Sequence, residues 1–292
     1  MREGDKNTKY FHTKALARKR KNRISRLEDE DRIWTEETED VERSFCKYFK
    51  NIFTTTNPSQ AQLDAALTDL PEHVTAEMNS LLDQEFTEEE VLNALAQMFP
   101  TKAPEPDGLP AAFFQKHWSS IKDGVLATYL HILNGGGSIA PLNHTYIALI
   151  PKVQNLIKVT EFRPISLCNV IYRIVAKTIA NRLKYILNDI ISLTQSAFIP
   201  NSLIMDNVII AYECLTKIRQ SRRKRNGLVA LELDISKTYD IINCSFLKCA
   251  MLKLGFSSKW VNLVMKCISI ASFSVLINGV ATGLIYPQRG LQ

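Results

Sequence analysis

Asp234 and Tyr239 are the residues whose types and spacing hold the clearest chemistry. They stand in "LVALELDISKTYD", where Leu228, Ala230, Glu232 and Asp234 alternate with Val229, Leu231, Leu233 and Ile235. That alternation predicts a strand with one mostly apolar face and an aspartate near its carboxyl end. A carboxylate fixed by a sheet suits metal binding, and it suits capping of the next turn equally well. Three chemistries use such a residue. Phosphoryl transfer through an aspartyl nucleophile needs a second carboxylate two residues on, where Ser236 stands. Nucleotide hydrolysis needs a glycine-rich phosphate loop of the form G-x-x-x-x-G-K-[ST], which the sequence lacks. Two-metal nucleotidyl transfer of the polymerase kind needs a further acidic site on a neighbouring hairpin and an aromatic ring against the incoming sugar. Tyr239 answers the last requirement.

The elements that would position these residues are legible by periodicity. "HTYIALIPKV" and "EFRPISLC" read as short strands, and "NVIYRIVAKTIANRLKYILNDII" reads as an amphipathic helix with Ile174, Val175, Ile179, Leu183 and Leu187 inside. "DNVIIAYECLTKIRQ" predicts another helix capped by Asp206, followed by the basic loop "RRKRNG". Two short helices over about 245–254 and 258–270 precede "SFSVLING" and "TGLIYPQRG", a hairpin turning at Asn278-Gly279. Upstream, "VERSFCKYFKNIF" puts Val41, Phe45, Tyr48, Phe49 and Ile52 on one helical face, and "TTTNPSQAQ" reads as a loop. Thr87 and Glu90 form a capping-box signal for a helix with Val91, Leu92, Leu95 and Phe99 on its apolar side. A further helix spans about Pro110–Asn134 and stops at Gly135–Gly137.

Composition sets outer bounds. The 292 residues are 46% hydrophobic with a formal charge of +6, enough for a sizeable core and compatible with an anionic partner. Cations cluster at Lys14, Arg18, Lys19, Arg20, Lys21 and Arg23, and again from Lys217 to Arg225. The six cysteines form no C-x-x-C pair, so free thiols are expected. Neither a signal peptide nor a membrane-spanning run is recognisable, and the expectation is an intracellular protein, nuclear or cytoplasmic, with no membrane partner.

The blocks "ALIPKV", "EFRPISLCNVIYRIVAKTIANRL", "LTQSAFIPNSLIMDNVIIAYE", "LELDISKTYD" and "RGLQ" resemble, in order and spacing, the reverse transcriptases of LINE-type, non-LTR retrotransposons, most of all those of plants. "GDKNTKYFH" and "KAPEPDG" resemble the segment those polyproteins carry ahead of the polymerase core. The resemblance implies that Asp234 is the first catalytic aspartate and a Mg²⁺ (or Mn²⁺) ligand. It implies that Tyr239 is the steric gate against a ribose 2′-hydroxyl, and that Lys152 and Arg163 contact the triphosphate of a deoxynucleoside triphosphate. Gln195, Ser196 and Phe198 match a block along the template path. Singly, each has an ordinary alternative: Arg163 in a structural ion pair, Lys152 as an exposed lysine, Tyr239 as a packing residue. Asp240 reads as a turn or capping residue. The sequence departs from the family pattern at Glu105 and Thr238, where glycine and alanine are usual, and in "DIINCSF", which lacks a basic residue and tryptophan.

The expected fold is α/β (α+β), with a helical linker region at 1–62, a helical extension at 63–140, and at 141–292 the fingers and part of the palm of a reverse transcriptase. The family pattern continues beyond Gln292 to two adjacent aspartates, so the resemblance implies a truncated palm and an incomplete metal site. The expected function is RNA-directed DNA polymerisation on an RNA template and DNA primer, with these residues inactive on their own. The alternative is a non-catalytic nucleic-acid-binding remnant.

Overall fold

Two packed layers grow out of this chain, one around a sheet and one among helices. The computed structural model describes residues 9–28, 34–100, 108–153, 158–192, 194–195, 199, 203–221, 228–233 and 237–291. Its helices are α1 (Lys9–Lys21), α2 (Thr38–Phe53), α3 (Gln60–Ala66), α4 (Ala76–Leu82), α5 (Glu88–Ala96), α6 (Ala111–Leu133), α7 (Val170–Ile190), α8 (Ile204–Ser221), α9 (Thr238–Ile241), α10 (Cys244–Lys253) and α11 (Ser258–Ser269). Its strands are β1 (Leu27–Glu28), β2 (Trp34–Thr35), β3 (His144–Pro151), β4 (Phe162–Cys168), β5 (Ser272–Ile277) and β6 (Val280–Ile285). The mixed α/β class read from the sequence is thus present.

β1 and β2 make a small antiparallel pair, and the main sheet runs in the order β4-β3-β5-β6. β3 sits centrally, antiparallel to β4 and parallel to β5. The hairpin from β5 to β6 turns where expected, with Asn278 at φ 54° and Gly279 at φ 93°, the left-handed pair a tight two-residue turn requires. The Asn278 side chain also accepts from Ile24 N–H and donates to its carbonyl, both at 2.9 Å, tying the turn to the segment after α1.

α2 closes the sheet. Val41, Phe45, Phe49 and Phe53 recur at helical spacing and bury against Ile147, Leu149, Phe162, Phe273 and Ile285. Phe45 meets Phe162 edge-on at 5.3 Å between ring centres, and Phe53 lies 5.1 Å from Phe273. A second core joins α5, α6, α7, α10 and α11 through Val91, Leu95, Tyr129, Ile174, Val175 and Trp260.

One cation holds that helical layer together. Arg182 of α7 is buried, and its guanidinium donates to both Glu90 carboxylate oxygens and to the carbonyls of Leu82, Gln84 and Glu85. Its Cζ stacks 3.4 Å from the centre of the Phe86 ring. Glu90 closes the capping box with Thr87 as the sequence predicts. Burial pushes the Glu90 carboxyl up, but the Arg182 hydrogen bond and the Thr87 N–H outweigh it and hold the group below the usual glutamate range. All six cysteines are free thiols, and burial pushes the Cys267 thiol up to about 11. Among the described residues no helix is long and apolar enough to cross a membrane.

Several elements differ from their sequence reading. Residues 228–233 form no strand, and Val229, Leu231 and Leu233 are 89%, 79% and 79% exposed. An alternating pattern supplies an apolar face but not the neighbouring N–H and C=O groups that make a strand; the sheet's outer members are β4 and β6, and neither pairs with this segment. α5 ends at Ala96, so Phe99 falls off its apolar stripe and Met98 is buried instead. α3 starts inside the expected loop, on a Ser59–Gln62 capping box. Asp206 lies within the first turn of α8 and accepts from Leu203 N–H, rather than preceding the helix.

Candidate nucleotide and nucleic-acid site

The β3–β4 hairpin carries two of the expected site residues. Its register pairs Ile150 with Arg163 and Pro151 with Phe162, so Phe162 and Leu149 turn inward to α2 while Ile150, Arg163 and Ile165 turn outward. Lys152 follows immediately, its N–H donating to the Glu161 carbonyl at 2.9 Å. Lys152 and Arg163 therefore stand at the same end of one hairpin, and both are exposed. The Lys152 ammonium donates to the Thr160 carbonyl at 2.9 Å, so its charge is folded back over the hairpin's own loop.

That loop forms one wall of a cavity of about 420 Å³ whose opposite wall is α2. Lys158 and Thr160 face Arg43, Lys47 and Tyr48 across it, with Asp40 at the rim bonded to Arg43 at 2.6 Å. On Tyr48 sits the next component, since the Lys237 ammonium lies over the Tyr48 ring, 4.6 Å from its centre, and donates to the Tyr48 hydroxyl. Lys237 opens α9, which carries Tyr239, whose side chain is 54% exposed. α2 is thus the helix on which the β3–β4 hairpin and the turn bearing Tyr239 converge.

The carboxyl-terminal strap fixes that turn from the other side. Leu291 N–H donates to Tyr239 C=O at 2.7 Å, and Gly290 N–H donates to Ile242 C=O at 2.8 Å. Arg289 Nε donates to Ile52 C=O at 2.6 Å, and Gln288 N–H to Phe53 C=O at 2.9 Å, two of the carbonyls left open at the end of α2. Asn243 Nδ2 donates to the Thr55 hydroxyl at 2.6 Å and completes the triangle. Gly290 has φ 102°, and a Cβ there would stand 2.9 Å from the Asp240 carbonyl oxygen, so both conformation and space require glycine.

A separate cleft of about 760 Å³ opens between the end of α1 and the sheet. Lys19, Arg20 and Arg23 line it from the α1 side, and Ala148, Leu276 and Gly279 from the sheet. Cations beside an apolar surface suit a polyanion with flat hydrophobic groups.

Gln195 lies on a separate element, exposed beyond the end of α7, its N–H on Ser192 C=O at 2.9 Å. Asp234, Ser196 and Phe198 lie outside the described residues. Among the described residues, no three His, Cys, Asp or Glu side chains converge as metal ligands. Sequence reasoning placed Tyr48 only on a helix face and missed its part in the site; Arg289 and Gly290 were visible only as part of "RGLQ", which carries no sign of their contacts with α2 and α9.

Residues 150–292 match the family described as reverse transcriptase (RNA-dependent DNA polymerase). Just under half of the chain is therefore similar to reverse transcriptases. Over 290 residues the chain is also 28% identical to the "Transposon TX1 uncharacterized 149 kDa protein" of Xenopus laevis, covering 99% of this chain. The chain spans about a fifth of that relative's length, 22%. The LINE-type resemblance read from the sequence is supported by both findings. Lys152, Arg163, Gln195 and Tyr239 fall within the matched region, whereas α2, Tyr48 and the cations of the α1 cleft precede it.

Proposed function

We propose that this chain contributes fingers, part of a palm and an amino-terminal extension to an RNA-directed DNA polymerase of a LINE-type retrotransposon. The observation that carries the reading is the convergence on α2, which brings the Lys152–Arg163 hairpin and the Tyr239 turn, both from the region matched to reverse transcriptases, to one helix. In this reading Lys152 leaves the Thr160 carbonyl to meet the triphosphate, and Arg163 meets it with its fork of donors. The Tyr239 ring lies against the sugar and rejects a 2′-hydroxyl. Asp234 is a hard oxygen donor of the kind Mg²⁺ takes, and the ion when bound would steady charge on the attacking and leaving oxygens. Gln195, Ser196 and Phe198 line the RNA template. Primer extension on an RNA template, by the chain extended with the family's remaining palm and thumb, tests the reading: incorporation lost in Asp234→Asn with template binding kept supports it, and incorporation that survives Asp234→Asn rejects the assignment.

A second reading, nucleic-acid binding without catalysis, is favoured by the α1 cleft with Lys19, Arg20 and Arg23. Each phosphate neutralised on a single strand adds about −0.7 to the slope of log affinity against log salt. Replacing these three cations with glutamine is expected to flatten that slope by about 2. An unchanged slope removes the cleft from the binding surface.

A further inference from the structure

We infer that Tyr48, which precedes the reverse transcriptase match, is a positioning residue for the turn that carries Tyr239. Three observations meet at Lys237. Its backbone is left-handed, φ 56° and ψ 39°, a conformation unfavourable for an L-residue that persists only where the surroundings fix it. Its ammonium rests on the Tyr48 ring and donates to the Tyr48 hydroxyl. Downstream of it, the carbonyls of Tyr239 and Ile242 accept from Leu291 and Gly290, which are themselves held to the end of α2 through Arg289 and Gln288.

The turn from 237 to 243 is therefore gripped at both ends by the same helix. At its start Tyr48 binds the Lys237 side chain; at its end the strap binds its carbonyls. The strap alone fixes the backbone but leaves the entrance free to choose between left- and right-handed Lys237. Right-handed Lys237 would redirect the chain entering α9 and with it the Tyr239 ring. The Tyr48 clamp selects the left-handed state. Tyr48 is half-buried and Lys237 exposed, the partly exposed setting in which cation–π attraction is modest and the lysine keeps its hydration. The clamp stands on geometry; its consequence for sugar choice at Tyr239 rests on the polymerase reading.

Hydrogen exchange over residues 237–243 of the full 292-residue chain tests the clamp. Tyr48→Ala and Lys237→Ala are each expected to speed exchange there about tenfold while leaving β3 and α7 protected. The double variant should be no faster than either single, because both remove one interaction. Tyr48→Phe, which keeps the ring and loses the hydroxyl, should recover part of the protection. Lys237→Gly, which adopts the left-handed backbone freely, should restore protection of 240–243 in the Tyr48→Ala background. Unchanged exchange in Tyr48→Ala, or additive effects in the double variant, would overturn the clamp. Exchange reports it with or without polymerisation, so its failure and that of the polymerase reading are distinguished.

Discussion

At the scale of single residues, two positions concentrate more of the structure than their surroundings do. Arg182 is buried with five acceptors, so Arg182→Met strands three carbonyls and a carboxylate at once. Breaking such a buried pair costs about 3–5 kcal/mol, readable as a shift in the urea midpoint. Because the Glu90 carboxyl is lowered in the fold, its contribution is complete above the ordinary glutamate value of 4.5 and fades as pH falls through the native one. The stability gap between wild type and Glu90→Gln should accordingly close as pH drops below that value, and a gap that widens in acid would contradict the assignment. Gly290→Ala must adopt φ 102° against the Asp240 carbonyl and should cost about 2 kcal/mol or more, read from the same urea midpoint. Arg182 was open to detection in the sequence: Ile174, Val175, Thr178, Ile179, Arg182 and Ile186 follow one helical stripe, and a cation on an apolar stripe demands a buried partner. Tyr48 and Lys237 are 189 positions apart, and no local pattern links them.

At the scale of elements, what the chain declares locally was recovered and what depends on a neighbour was not. The capping box at Thr87, the Asn278-Gly279 turn, the β3 and β4 alternation and the long stripe of α7 each carry their own signal within a few residues. Residues 228–233 carry an equally clear alternation, yet a strand is completed only by its partner, and none of the described strands pairs with it. Their amides should exchange at rates near those of open chain, while those of β3 are slow; equal protection in both would show a pairing not present here. With Val229 and Leu231 so exposed, Val229→Lys together with Leu231→Lys should change stability by no more than about 0.5 kcal/mol and reduce self-association in light scattering. The site was half legible for the same reason: Lys152 and Arg163 lie on one hairpin, whereas their link to Tyr239 passes through a distant helix.

At the scale of the molecule, the reverse transcriptase match begins at residue 150, inside the central strand β3, and omits α2 altogether. Four α2 side chains fill the sheet's core, each worth about 1.5–3 kcal/mol of burial, against a net stability of about 5–15 kcal/mol for a typical domain. Residues 150–292 expressed alone should therefore show no cooperative thermal transition, and supplying residues 1–149 as a separate chain is the way to restore one; a sharp melt from the shorter piece would show that α2 is dispensable. The arrangement of α2 also has a consequence in time. Phe53 is synthesised 220 residues before Phe273, its ring partner in β5. At about 5–20 residues per second, a ribosome leaves the aromatic face of α2 without its sheet for roughly 10 to 45 seconds. During that interval the helix is a hydrophobic ligand for any chaperone at the exit tunnel, and the rate of translation sets how long the nascent chain depends on that protection.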